Sequence, residues 1–307
     1  MNKSKKILIL GGTGFIGSYL SLSCLKKNWD VTVVSKNLPK KKYDKIKYLK
    51  CDITKKNSIK KKLNSCNFNY VVNLAGNINH TNKTETYRAH FLGCKNIVNF
   101  CLNRNLQKFI QIGSCLEYGK KSVPHDESMK IKITSLRSSY SRAKLASTNY
   151  LVSLFKKNNF PCVILRFYQV YGPNQSYERL IPYVIKSCLT NRKFECSNGQ
   201  QEKDFIYITD AIKAIHKVLK TKKEINGTII NIGMGKPTKI KKIIKLINLK
   251  IKKGKPIFGK IPLRKDEQKI LYPNTNLAKK IIGWESKTSL LAGLRKTIAF
   301  YRKKLII

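Results

Sequence analysis

The sequence predicts an α/β protein built on a doubly wound parallel sheet, with a smaller C-terminal substrate domain interleaved with it. Three observations carry that expectation. Short apolar runs alternate with helical patterns from Ile7 to Phe167, the rhythm of a parallel sheet covered on both faces. A glycine-rich turn follows the first run and opens the first helix. After Gly172-Pro173 the rhythm changes, and a later run, Thr228–Ile232, looks like a strand returning to the main sheet.

The elements follow in order. Ile7–Leu10 is a buried strand that ends at Gly11. Phe15–Lys27 reads as a helix with Phe15, Ile16, Leu20 and Leu25 on its apolar side. Val31–Val34, Tyr48–Cys51, Tyr70–Leu74, Phe109–Ile112 and Cys162–Phe167 are the next strands. Glu85–Asn103 and Tyr140–Lys157 are long helices. Further on, Leu180–Leu189 is helical, and Asn198-Gly199 signals a hairpin within Phe194–Phe205. Thr209 is expected to cap a helix over Asp210–Leu219. A helix near Lys239–Leu249, a Thr275-capped helix and a Ser289-led helix close the chain. The sheet domain is expected at residues 1–172 plus 204–233, and the smaller one at 173–203 plus 234–307.

The 307 residues are 42% apolar, enough to fold around a large core. The net charge is +47, from 63 Lys and Arg against 16 Asp and Glu. Such a balance raises nucleic acid or an anionic membrane as partners. The lysines are scattered, as at Lys40–Lys42, Lys60–Lys62 and Lys303–Lys304, on stretches expected to be solvated. A compositional bias is the preferred explanation, with nucleic acid and membrane not expected as partners. The nine cysteines form no CxxC, and Cys24, Cys94, Cys101 and Cys188 fall in apolar helical patterns. With no signal-type apolar segment after Met1, a reducing cytoplasm is the expected location. The four histidines give no metal reading: His80 and His90 are too far apart for a one-turn pair. His125 and His216 read as surface residues.

Gly11-Gly12-Thr13-Gly14-Phe15-Ile16-Gly17 has the strand–turn–helix context of a Rossmann dinucleotide site. Gly11 permits the turn, Gly14 lets backbone approach a pyrophosphate, and Gly17 lets helix and strand pack closely. The helix N-terminus favours the phosphates. At the end of the second strand, Val33-Val34-Ser35-Lys36 lacks the acid that accepts the ribose 2′-OH of NAD. Ser35 and Lys36 suit a 2′-phosphate, so NADP is the expected cofactor, with NAD the alternative. Asp52-Ile53 suits the adenine edge, and Leu74-Ala75-Gly76 lines the cofactor.

Tyr140-Ser-Arg-Ala-Lys144 sets a phenol and an ammonium one helical turn apart on one face. The ammonium stabilises a phenolate, so a phenol of pKa ~10 can exchange a proton near neutrality. Ser114 ends the fifth strand, where such sheets place their sites, and its hydroxyl suits a substrate carbonyl or alkoxide.

Together these stretches resemble the extended short-chain dehydrogenase/reductase family, its NAD-dependent epimerase/dehydratase group. The matching runs include Gly11–Gly17, Asn73–Gly76, Gly113–Gly119, Tyr140 with Lys144, Leu165–Pro173, Asp204–Asp210 and Leu263–Gln268. Ile282–Glu285 and Ser289–Leu294 continue the match. The resemblance implies a Rossmann fold, a nucleotide-sugar substrate and a homodimer. It gives Tyr140, Lys144 and Ser114 the catalytic roles above. It sets Arg166 beside the cofactor or substrate mouth, with a structural ion pair as the alternative, and Arg264 at the nucleotide diphosphate. Gln169, Asn174 and Arg179 are further substrate candidates.

Three departures shape the expected activity. The dehydratases of this group carry a Thr followed by an Asp-Glu pair where this chain has Ser114-Cys115-Leu116, so water elimination is not expected. Gln169 replaces a usual Asn, and Lys203 a usual Arg. The expected activity is reduction of a nucleotide-linked 4-keto-sugar. A 4-epimerase that retains NAD is the nearest rival, and an RNA-binding protein on the same scaffold is the alternative of another class.

Overall fold

The structure, a computed structural model, describes residues 4–77, 81–263 and 267–306. The chain opens with β1 (Lys6–Leu10), α1 (Phe15–Leu25), β2 (Asp30–Ser35), β3 (Ile46–Lys50), α2 (Lys56–Leu63) and β4 (Tyr70–Asn73). It continues through α3 (Lys83–Tyr87), a π-helical turn at Arg88–Leu92, α4 (Gly93–Cys101), β5 (Lys108–Ser114), α5 (Ser139–Asn158) and β6 (Cys162–Phe167). Next come β7 (Gln169–Tyr171), α6 (Leu180–Leu189), β8 (Lys193–Glu195), β9 (Glu202–Tyr207), α7 (Ile208–Lys220) and β10 (Ile229–Ile232). The last are β11 (Pro237–Lys239), α8 (Ile240–Ile251), β12 (Lys255–Ile257), β13 (Ile270–Leu271), α9 (Asn276–Ile282) and α10 (Leu290–Ile306).

Seven parallel strands form the main sheet in the order β10-β6-β5-β4-β1-β2-β3. Alternation along β1 sends Ile7 and Ile9 into one core and Leu8 and Leu10 into the other. That two-sided burial is why the strands read as continuous apolar runs. Connections run outward in opposite directions from β1 and β4. The crevice between their C-terminal ends is the switch point where such sheets bind ligands.

All seven expected strands are present. The Asn198-Gly199 hairpin is not. β8 pairs with β12, while β9 pairs with β7, β11 and β13 in a second sheet. Gly199 adopts φ +71° and its carbonyl accepts Lys241 N, so the turn docks on the start of α8 instead of folding back. β9 carries residues expected in the sheet domain, Asp204–Tyr207, into this second sheet. Thr209 lies inside α7, whose N-cap is Tyr207 without a side-chain bond. The single helix expected over Glu85–Asn103 starts at Lys83 and is interrupted by the π turn that contains His90.

Candidate active site

Five strand ends, those of β1 to β5, build the site. After β1, Gly11 turns at φ +74° and donates its N–H to Val34 O at 2.7 Å. A Cβ on Gly17 would lie 2.3 Å from Gly11 O, so only glycine lets α1 pack this close. A Cβ on Gly14 would meet just one atom, Gly11 O at 3.3 Å, so the loop has free space there. Gly14 is also the N-cap of α1, with no side-chain bond and no acid in the first turn. The first-turn N–H groups are therefore available to an anion, and the cradle fits a dinucleotide pyrophosphate.

Thr13 Oγ donates to Ser35 Oγ at 2.8 Å, which ties the buried Ser35 to the glycine loop. Lys36 is exposed, with Nζ 3.9 Å from Asp52 Oδ2. Burial works to raise the Asp52 carboxyl, but hydrogen bonds from Thr54 N and Oγ at 3.0 and 2.7 Å hold it below its usual value. Ile53 is buried under Gly93, and its carbonyl accepts Asn96 Nδ2 at 3.1 Å. Leu74 and Ala75 are half-buried and Gly76 is exposed at the end of β4.

Ser138 caps α5 by accepting Ser141 N at 3.1 Å, and the helix then presents Tyr140 and Lys144 four residues apart. The Tyr140 phenol hydrogen-bonds with the Ser114 side chain. Lys144 is buried, donates to Ile112 O at 2.7 Å, and sits 5.9 Å from the Tyr140 ring centroid. Burial pushes the phenol up to about 12; the Ser114 bond and the Arg179 charge pull against it. Burial lowers the Lys144 ammonium to about 8, opposed by the Glu117 charge. The structure thus brings Ser114, Tyr140 and Lys144 together, with Arg179 in electrostatic reach.

Two contributors escaped the sequence reading. Glu117 is fully buried, and it closes a capping box around Ser114 by accepting Ser114 N at 2.7 Å. Its other oxygen accepts Thr148 Oγ at 2.8 Å and Arg166 Nε at 2.9 Å. His90 packs edge-on to Tyr140 with centroids 4.9 Å apart, and its Nε2 contacts Asn77 O at 3.1 Å. The cue for Glu117 was its place three residues after Ser114, the spacing of a capping box.

The placing of Arg166, His125 and His216 needs correction, and the remaining candidates fall as follows. Arg166 is not at the mouth of the site: it is 2% exposed, paired with Glu117, and 4.5 Å over the Tyr118 ring. It forms the structural ion pair that was its alternative. His125 and His216 are buried: His125 stacks on Tyr118 at 4.4 Å and bonds Tyr168 OH at 2.9 Å, and His216 meets Ser23 Oγ at 2.8 Å. Asn174 is an exposed turn residue at φ +65° whose amide oxygen accepts Lys304 Nζ at 3.4 Å. Gln169 is half-buried at the start of β7, and Arg179 is the exposed N-cap of α6. Arg264 and His80 lie outside the described residues. Lys203 is buried and pairs with Glu267 at 2.8 Å, bracing the segment next to Arg264. A cavity of about 270 Å³ opens beside that segment, lined by Tyr183, Glu195, Gln201, Ile244 and Leu263. No group of three His, Cys, Asp or Glu is gathered for a metal among the described residues. Nor is any described helix long and apolar enough to cross a membrane.

A buried phenol bonded to a serine, with a lysine one helical turn on, in a sheet whose first turn is glycine-rich, is the arrangement of an enzyme of the extended short-chain dehydrogenase/reductase class. Residues 7–233 match the NAD dependent epimerase/dehydratase family, and the chain belongs to it. CDP-abequose synthase of Salmonella muenchen is 26% identical over 309 residues, covering 97% of this chain and 99% of the relative. A putative UDP-glucose 4-epimerase of Methanocaldococcus jannaschii is 28% identical, covering 95% and 97%. In fold, the chain is similar to UDP-glucose 4-epimerase of Thermotoga maritima, at TM-score 0.89, 23% identity and coverage of 98% and 99%. UDP-glucuronic acid 4-epimerase of Bacillus cereus, solved with UDP-glucuronic acid and NAD, gives TM-score 0.86, 24% identity and coverage of 98% and 99%.

Proposed function

We propose that this enzyme reduces the 4-keto group of a nucleotide-linked sugar, with NADPH as the hydride source. The observation that carries the proposal is the Tyr140–Ser114 contact, with the phenol held in its protonated form. A protonated phenol is ready to give its proton to an alkoxide forming at C4. Ser114 hydrogen-bonds the same oxygen. Lys144, fixed by Ile112 O, favours the phenolate as the proton leaves. Bound NADPH would supply the hydride.

Elimination of water needs a further acid–base pair, and the local candidates do not offer one. Cys115 is buried with its thiol pushed up to about 12 by burial, Leu116 has no proton to give, and Glu117 is held by three hydrogen bonds. The acid-free end of β2 and the exposed Lys36 favour a 2′-phosphate, hence NADP over NAD. The relatives act on nucleotide-linked sugars by name, and the cavity beside Leu263 offers room for the nucleotide end. Residues 173–203 and 234–307 then serve as the substrate-binding part.

The 4-epimerase is the second reading, because the same three side chains serve oxidation and return reduction at C4. Incubating the enzyme with NADPH and a panel of nucleotide-linked 4-keto-sugars decides between them. Stoichiometric loss of reduced nicotinamide with formation of the 4-hydroxy product is expected. Protein that purifies with tightly held NAD, and interconverts 4-hydroxy epimers without consuming NADPH, overturns the proposal.

A further inference from the structure

A second cavity, of about 590 Å³, lies between α1, α7 and the loop that joins α9 to α10. None of Ser114, Tyr140 or Lys144 lines it. Its apolar part comes from Tyr19, Ile212 and Trp284. Five lysines line it as well: Lys27, Lys213, Lys217, Lys220 and Lys287. Two of these are neutralised, Lys213 by Asp210 at 3.2 Å and Lys287 by Glu285 at 2.6 Å. Lys27, Lys217 and Lys220 make no ion pair among the described residues.

The cavity wall also contains a buried histidine, one of whose ring nitrogens has no partner among the described residues. His216 lines it at 8% exposure, with Nε2 against Ser23 Oγ at 2.8 Å and Nδ1 without a partner. Burial lowers this imidazole to about 4, assisted by the charges of Lys27 and Lys220, so the ring is neutral at pH 7. Nδ1 has no solvent-accessible surface, so the ring closes the cavity wall and offers the cavity no free donor.

We propose that this cavity is a binding site for an organic phosphate with an apolar body, separate from the catalytic crevice. The phosphate is held by Lys27, Lys217 and Lys220. The apolar body packs on Tyr19, Ile212 and Trp284. What sets this pocket apart from the general lysine surface is that three lysines without an ion pair among the described residues line one partly apolar cavity.

Calorimetric titration of the NADPH-saturated full chain with 1-naphthyl phosphate, inorganic phosphate and 1-naphthol tests the proposal. One naphthyl phosphate per chain is expected, with weaker binding of both reference compounds. Replacing Lys27, Lys217 and Lys220 together by Ala is expected to weaken naphthyl phosphate by roughly tenfold, about 1.4 kcal/mol. All three are exposed, so the fold should be retained, which circular dichroism checks. A control that replaces Lys40, Lys41 and Lys42 by Ala is expected to bind like the parent. No binding by the parent up to about millimolar ligand, or equal weakening in both triple variants, overturns the proposal.

Discussion

One oxygen of the Glu117 carboxylate sits 2.7 Å from the Ser114 backbone nitrogen, and the other sits 2.9 Å from Arg166 Nε. A buried ion pair is thereby locked to the residue that is proposed to hold the substrate oxygen. Removing one partner of such a pair strands the other charge in the core.

Glu117→Gln should therefore lower stability by about 3 kcal/mol and reduce kcat by roughly tenfold or more, with little change in KM. Denaturant unfolding and steady-state kinetics check both. Unchanged kcat in a stable Glu117→Gln protein would show that Ser114 needs no such anchor.

Tyr140→Phe should keep dinucleotide binding and lose roughly a hundred- to ten-thousandfold in kcat. Calorimetry with NADPH separates that outcome from loss of the fold. If the variant stays active, the phenol is not the proton donor.

The pH profile carries a second signature. Reduction needs Tyr140 protonated and Lys144 charged. With Tyr140 raised to about 12 and Lys144 lowered to about 8, kcat/KM should be flat near neutrality and fall above about pH 8. Residual activity in Lys144→Arg should lack that limb, because guanidinium stays charged.

Gly76 leaves room for His90. A Cβ at residue 76 would lie 2.0 Å from His90 Cε1. Gly76→Ala should displace the imidazole from its edge-on seat against Tyr140 and reduce both stability and kcat. Adding His90→Ala should recover stability by removing the clash, without restoring full activity. Thermal melting of the two variants checks this; equal loss in the single and double variants would locate the strain elsewhere.

Acid stability is governed partly by His125 and His216. Burial holds both near 4, against 6.5 for the free side chain. The unfolded chain therefore binds more protons in that window. The stabilisation is complete above pH 6.5 and is lost as pH falls toward 4, by up to about 3 kcal/mol per histidine. Asp204 opposes it: burial raises its carboxyl from 3.8 to about 6, so its contribution is present at low pH and lost as pH rises. His216→Phe should flatten the decline in melting temperature between pH 6.5 and 4. A slope equal to the parent's would contradict it.

Much of this was legible in the chain. Strands buried on both faces carry near-continuous apolar runs, so β1, β4, β5 and β6 announced themselves. Gly11, Gly14 and Gly17 were readable because a turn, a free approach and a close packing each demand glycine. Tyr140 and Lys144 were readable from helical spacing. What escaped depends on contacts distant in sequence. Arg166 on β6 meets Glu117 across 49 positions, and no local pattern distinguishes that from a substrate contact. His216 looked like surface because α7 is dotted with lysines, yet its ring lies against Ser23, 193 positions earlier. The Asn198-Gly199 turn has hairpin chemistry, but α8 captured it.

The arrangement of the main sheet sets a timetable for synthesis. β10 covers the outer edge of β6, yet residues 168–228 are made between them. On the ribosome, the fully buried β6 waits with one ladder of hydrogen-bonding groups unmet until Ile229–Ile232 emerges. A nascent chain that stalls before Ile229 exposes that naked edge, and such fragments are prone to stick to one another, although the glycine loop, Ser114, Tyr140 and Lys144 have all been translated by then.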